Sequence, residues 1–555
     1  MKLNRAPLFV FVLCFCLPVS SAAKAPKVPG TFLRARTPHF TIYSNASERK
    51  TRRLAVDLER FSQTLLFLLP GTVTAPSEEM VFYVFRGDRD FERYTPSASR
   101  KRPIAGYYTN TGEGSFAAVN AGAWDDYRHT LFHEYVHEFL RRNYRPLPGW
   151  LDEGLSEYFS TFRLDGTVAE IGRPIENYVT LLRNRAVMSL DELFTFERGT
   201  HGRRNDAQIH RFYAESWALV HYLMLGDRGR APELMRYVQA IQSGVPLDEA
   251  FSAAFSCSRE DLLQELRVFI SKNALPFSKF PLDGLQLDES VNLQELSDTE
   301  ALCALGELIA HSDRDNLAGA EEHFGAAVAR NPNCARAHHG LGYIADRRGR
   351  HNQAEQHFEK ALRHDPGNAT ALFRFGRNLL HRLQDKLAEE GGATTPEAFE
   401  AARRLLRKSL EIEPEAPTVW ATLGFSYALD PQPPPGGIEI MQRAIQLRGP
   451  RWTLVSNLAV LFVKEGQWQT SREIFETYLR PWREPRAYWR LESWLVDAAL
   501  DHLQTLAETG RACEALVALH RLAEITEHEE SLTKVITRLE LLQRTPEGTL
   551  CEEVG

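Results

Sequence analysis

Apolar positions over the first 275 residues switch between two periods. Residues 39–43 (HFTIY) and 80–85 (MVFYVF) are short runs rich in aromatic and β-branched side chains, which predicts two strands, the second of them buried. Between them, from Ser47 to Leu69, apolar residues recur at helical spacing. Ser47 is placed to cap that helix and Pro70-Gly71 to end it. Gly106-Tyr107-Tyr108 and 115–119 (SFAAV) predict two further strands about a turn at Asn110-Thr111-Gly112. From Trp124 to about Asn273 helical patterning dominates, so a small sheet and a helical lobe are expected to share one domain, 37–275. Residues 276–298 mix Pro, Gly, Asp and Ser without a period and read as a linker.

Beyond the linker the pattern repeats. Ala320, Phe324, Ala327 and Pro332 are followed 34 residues later by Ala354, Phe358, Ala361 and Pro366, with Leu341-Gly342 at the front of the second unit. Ala402, Leu406, Ser409 and Pro414 continue the series if about fourteen residues are inserted around 386–395. Trp420, Leu423, Gly424 and Tyr427 open another unit before the proline-rich 431–435. The pattern resembles the tetratricopeptide repeat, in which small residues let paired helices pack closely. That resemblance implies an all-α solenoid over 299–480 that recruits a protein partner, followed by a helical, repeat-like region at 481–555.

Composition narrows the function classes. The 555 residues carry a net charge of -7, so there is no basic excess to neutralise a phosphate backbone, and nucleic-acid binding is not expected. Lys2 and Arg5 precede an apolar run at 6–19 and the small residues Ser20 to Ala23, the layout of a secretory signal peptide at 1–23. Its removal takes two cations and leaves -9. The chain is therefore expected to be exported, to the periplasm or the medium, with no stable membrane span in its mature form. Of seven cysteines, Cys14 and Cys16 leave with the signal; Cys303 with Cys334 and Cys513 with Cys551 are candidate disulfides, and Cys257 is left over.

One pentapeptide carries chemistry: His133-Glu134-Tyr135-Val136-His137. On a helix, positions four apart share a face, so both imidazoles reach one ion, and Glu134 is placed beside a water held there. This donor set indicates Zn2+ and hydrolysis, with Glu134 as general base returning its proton to the leaving amine. Leu131, Phe132, Tyr135, Val136, Phe139 and Leu140 make the helix a core helix, where histidines left without a ligand or partner are costly.

After the turn Pro146-Leu147-Pro148-Gly149 comes Trp150-Leu151-Asp152-Glu153-Gly154-Leu155-Ser156-Glu157-Tyr158. Together with the pentapeptide this resembles the gluzincin metallopeptidases, most closely the peptidase-MA-like proteins, and is similar to the aminopeptidase-N group. The resemblance implies an α+β metallopeptidase domain with His133, His137 and Glu153 as zinc ligands, and a peptide or protein substrate. Glu157, one turn on, is the competing ligand and is read as a carboxylate that orients a zinc-bound imidazole. His210, Tyr213 and His221 are candidates to stabilise the oxyanion, and the relatives' helix-start tyrosine favours Tyr213. The strand at 115–119 is expected to be the substrate-facing edge, as in gluzincins. Arg141, Arg142 and Arg145 read either as attractors of acidic substrates or as cations at a helix C-terminus. The alternative function is a catalytically silent peptidase-like domain in a repeat-based binding scaffold.

Overall fold

The computed structural model describes residues 26–69, 80–97, 99, 104–111, 114–122, 127–144, 146–185, 187–196, 206–282, 290–389 and 394–474. It also describes 477, 496, 499, 500, 503, 504, 507, 511–526 and 529–544. The expected signal peptide, Arg145 and Cys551 lie outside these.

Among the described residues, nine strands form two sheets. The larger is built from β1 (Leu33–Arg36), β2 (Phe40–Ser44), β3 (Met80–Phe85), β4 (Gly106–Asn110), β5 (Ser115–Asn120) and β9 (Asn292–Glu295), in the order β4-β5-β3-β2-β1-β9. The central strands β2, β3 and β5 are parallel, and β4 and β1 run antiparallel to their neighbours. Near-continuous apolar runs fit this position, because both faces of the central strands are covered. Met80, Phe82 and Val84 share one core with Leu54, Leu58 and Phe61 of helix α1 (Glu48–Leu68), whose start is capped by the Ser47 side chain. Tyr83 and Phe85 point to the other face and a second core.

That second core corrects the expected division of the chain. It joins Tyr43, Tyr83, Phe85 and Phe116 of the sheet to Leu302, Leu305, Leu308 and Ile309, which belong to the first repeat helix. The segment read as a linker also builds sheet. β8 (Ser278–Pro281) extends the small sheet of β6 (Arg163–Asp165) and β7 (Val168–Ile171), and β9 pairs with β1, which starts before residue 37. The span read as a linker, 276–298, therefore holds two strands that pair with strands of the front half.

The helical lobe comprises α2 (Asp88–Tyr94), α3 (Tyr127–Asn143), α4 (Gly149–Ser160), α5 (Glu176–Arg183), α6 (Leu190–Phe194), α7 (Asp206–Leu225), α8 (Ala231–Gln242), α9 (Leu247–Ala254) and α10 (Arg259–Ile270). Helix hairpins follow: α11 (Asp298–Ser312) with α12 (Leu317–Arg330), α13 (Ala335–Arg347) with α14 (His351–His364), and α15 (Ala369–Ala388) with α16 (Pro396–Ile412). Next come α17 (Pro417–Leu429) with α18 (Gly437–Arg448), and α19 (Trp452–Lys464) with α20 (Trp468–Ile474). The repeated small and aromatic positions Ala320, Phe324, Ala327, Ala354, Phe358 and Ala361 are all buried. A Cβ on Gly340 would lie 2.3 Å from the Phe324 ring, so close helix packing there requires glycine. The expected insertion lengthens two helices: α15 has 20 residues and α16 has 17, against 13 in α13. Two more helices, Ala512–Ile525 and Glu529–Gln543, are described near the C-terminus.

Cys303 and Cys334 face each other with sulfurs 3.8 Å apart, as thiols. Cys513 is disulfide-bonded. No helix among the described residues is long and apolar enough to cross a membrane.

Candidate metal centre

Helix α3 carries its apolar side chains Phe132, Tyr135, Val136, Phe139 and Leu140 into the main core. That burial fixes the helix's rotation and turns His133, Glu134 and His137 towards a cleft of about 1420 Å³. Helix α4 folds back against α3 and also packs on α7. A Cβ on Gly154 would sit 2.4 Å from the Ser216 carbonyl oxygen, so the glycine is what lets α4 and α7 approach. This packing places Glu153 opposite the two histidines and brings Tyr213 to the cleft wall.

Three atoms converge. His133 Nε2 and His137 Nε2 are 3.0 Å apart, and each is 3.3 Å from Glu153 Oε2. A tetrahedral ion bonded at ~2.0–2.1 Å has ligand atoms about 3.3 Å from one another, so the donor set fits zinc in size and type. His133, His137 and Glu153 are the one such group among the described residues.

The surrounding groups hold these side chains in place. The far nitrogen of His137, Nδ1, lies 3.2 Å from Asp152 Oδ1 and 3.0 Å from Ser156 Oγ. The far nitrogen of His133 lies 3.5 Å from Glu157 Oε1. The Tyr178 hydroxyl donates to that same oxygen at 2.9 Å, and His129 Nε2 lies 2.9 Å from the other. Glu157 is thus behind the imidazole and off the cleft, whereas Glu153 faces both Nε2 atoms. The rotation of α4 sets which of the two carboxylates faces the Nε2 atoms.

Charge follows from this layout. Burial pushes the Glu153 carboxyl up, but His133 and His137 outweigh it and hold the group well below the ordinary carboxylate range. Burial pulls His137 down, while hydrogen bonds to Asp152 and Glu153 overcome it and raise the imidazole to about 10. The site therefore favours positive charge between its carboxylates, which a dication satisfies.

Of the three oxyanion candidates, only Tyr213 lines the cleft, its ring edge-on to His133 with centroids 6.3 Å apart. His210 is exposed and packs on Tyr178, and His221 is buried with Nε2 2.8 Å from the Gly172 carbonyl oxygen. The strand at 115–119 is not an edge: β5 lies between β3 and β4, and the outermost strand on that side is β4. Tyr108 of β4 reaches the cleft, where its hydroxyl donates to Glu138 and accepts from Arg141 Nε at 3.3 Å. Arg141 and Arg142 both pair with the buried Glu138 and also line the cleft.

Sequence reasoning missed Asp152, Ser156, His129 and Tyr178. Asp152 and Ser156 stand four apart beside Glu153, a spacing that could have flagged them, while Tyr178 lies on a separate helix. It also missed the far wall of the cleft, made by residues 446–453 of the repeat array.

Comparisons agree with the repeats and leave the front half without a named activity. The tetratricopeptide repeat family matches residues 305–369, and a family described as protein of unknown function (DUF1570) matches 129–248, a span that contains His133, Glu134, His137, Glu153, Glu157 and Tyr213. No curated protein matches. Among solved structures, one reported as the functional characterization of Pseudomonas aeruginosa pilF is 17% identical, with 43% of this chain and 96% of that chain covered and a TM-score of 0.30. A tetratricopeptide repeat protein from Parabacteroides merdae is 14% identical, with 44% and 98% covered and a TM-score of 0.28. The P58(IPK) TPR domain is 14% identical, with 46% and 80% covered and a TM-score of 0.17. None reaches a TM-score of 0.5, so these likenesses carry no functional argument.

Proposed function

We propose that the chain is an exported zinc-dependent peptidase whose helical repeats recruit a protein partner or substrate. The observation that supports it is the convergence of His133 Nε2, His137 Nε2 and Glu153 Oε2 in a cleft that Glu134 and Tyr213 also line. His133, His137 and Glu153 would hold the ion. Zinc, when bound, supplies Lewis acidity and brings the pKa of water towards neutrality. Glu134 accepts the attacking water's proton and passes it to the leaving amine. The Tyr213 hydroxyl donates to the oxygen on which negative charge develops. Asp152, Ser156 and Glu157 keep the imidazoles oriented, and the free edge direction of β4 offers backbone groups to an extended peptide. The gluzincin-like domain fold is part of this proposal, as is export, which rests on the leader at 1–23.

A second reading is favoured by the repeat match at 305–369. In it the array is a protein-binding scaffold and the front half is catalytically silent. Metal analysis and a protease assay on unfolded protein separate the two. The peptidase reading expects about one zinc per chain, lost in His133→Ala, and cleavage abolished in Glu134→Gln with the metal retained. A wild-type protein that holds no metal, or that cleaves no better than Glu134→Gln, leaves the scaffold reading standing.

A further inference from the structure

The cleft has two walls that come from opposite halves of the chain. One is α3, α4 and the edge strand β4; the other is the corner between α18 and α19, residues 446–453. The array reaches back to the metal centre because its first hairpin is embedded in the sheet's second core, so the later hairpins are not free to swing away as on a linker. The corner itself has a defined shape. Gly449 closes α18 at a φ of 76°, which a side chain would strain, and Arg448 Nη1 donates to Thr418 Oγ1 of α17 at 3.3 Å.

Charge on the two walls is unequal. Carboxylates in the cleft lining, Glu134, Asp152 and Glu153, all sit on the α3–α4 wall, where Arg141 and Arg142 pair with the buried Glu138. The corner contributes two guanidiniums, Arg448 and Arg451, with Trp452 beside them and no carboxylate. Two arginine residues in the lining of a cleft suit a carboxylate, which arginine binds through paired N–H donors.

We propose that the α18–α19 corner is part of the substrate site and that Arg448 and Arg451 bind a carboxylate of the peptide while its backbone lies along the metal end. The inference rests on the peptidase reading for what occupies the cleft. It makes the repeat array a source of specificity as well as a recruiting surface. The carboxylate belongs either to an Asp or Glu side chain or to the peptide's own C-terminus.

The full-length Glu134→Gln protein, zinc-loaded, is titrated into fluorescein-labelled decapeptides and followed by anisotropy. One peptide has internal Glu residues and an amidated end, one is neutral with a free C-terminus, and one is neutral and amidated. At least one carboxylate-bearing peptide is expected to bind roughly tenfold tighter than the neutral amide, and which one does so identifies the source of the carboxylate. Adding Arg448→Glu and Arg451→Glu should remove that margin with zinc content unchanged. The Arg448→Lys and Arg451→Lys pair, which keeps the charge and disturbs folding less, should narrow it in part. Equal affinity for all three peptides, no binding of any, or a margin untouched by both arginine pairs overturns the proposal. Hydrolysis by the protein with Glu134 intact reports on the peptidase reading separately. Carboxylate-dependent binding without hydrolysis would remove that reading and keep this site.

Discussion

The Phe116 ring stacks on the His311 imidazole, with centroids 4.4 Å apart and planes 10° from parallel. Phe116 belongs to β5 of the sheet and His311 to the first repeat helix. Tyr343 stacks on the other side of His311 at 5.0 Å, and Arg374 Nη2 lies 3.0 Å from its Nε2. Arg336 extends the same junction, donating to the Tyr43 hydroxyl at 2.9 Å and pairing with Glu307 at 2.6 Å. The column crosses from sheet to array through buried groups, which predicts that the two halves unfold together.

A chain ending at residue 297 should therefore not fold as a soluble unit, because the aromatic face of Tyr43, Tyr83, Phe85 and Phe116 loses its cover. In the full chain, Phe116→Ala should cost about 3–5 kcal/mol and lower the melting of both halves together. Differential scanning calorimetry and limited proteolysis check this. A monomeric 26–297 fragment with a sharp melt would show the junction to be dispensable.

The roles of the two glutamates on α4 are separable by metal affinity. Glu153→Gln removes the negative charge that faces both Nε2 groups and should abolish stoichiometric zinc. Glu157→Gln and Asp152→Asn act through the far nitrogens of His133 and His137 and should weaken zinc about 10–100-fold without abolishing it. Competition against a chromophoric chelator measures all three. Zinc lost from Glu157→Gln and kept by Glu153→Gln would reverse the assignment.

Two buried histidines predict acid sensitivity. Burial holds His221 and His323 at about 4, below their ordinary 6.5, with Arg93 adding to the effect at His323. The folded chain keeps both neutral while the unfolded chain protonates below 6.5. Their contribution is present in full above 6.5 and is lost as pH falls towards 4, on the order of 3 kcal/mol each. His323 Nδ1 lies 2.7 Å from the Gly319 carbonyl oxygen, a bond that the amide of His323→Asn can reproduce without titrating. That variant should show a smaller drop in melting temperature between pH 7 and pH 4 than wild type. An identical drop in both would count against the assignment.

Much of the site was legible because it is local. Positions 133 and 137 share a helix face by the 3.6-residue period alone, and the apolar residues between them say which face is buried. The 34-residue spacing marked the repeat hairpins for the same reason, since each pair of helices packs through residues close in sequence. The edge strand was misread because strand order depends on which strand a distant segment joins. Nothing within 115–119 tells that β4 lies outside it.

The sequence by itself determined the helix that carries two imidazoles and a glutamate, the carboxylate-bearing helix after it, and the recurring helical hairpins. Tertiary structure alone decided that Glu153 faces the histidines while Glu157 stands behind them. It also made strands of two sheets from 278–281 and 292–295, and set the α18–α19 corner across the cleft. Local spacing fixes positions along one element, whereas the rotation and pairing of elements follow from burying faces that the chain brings together from far apart.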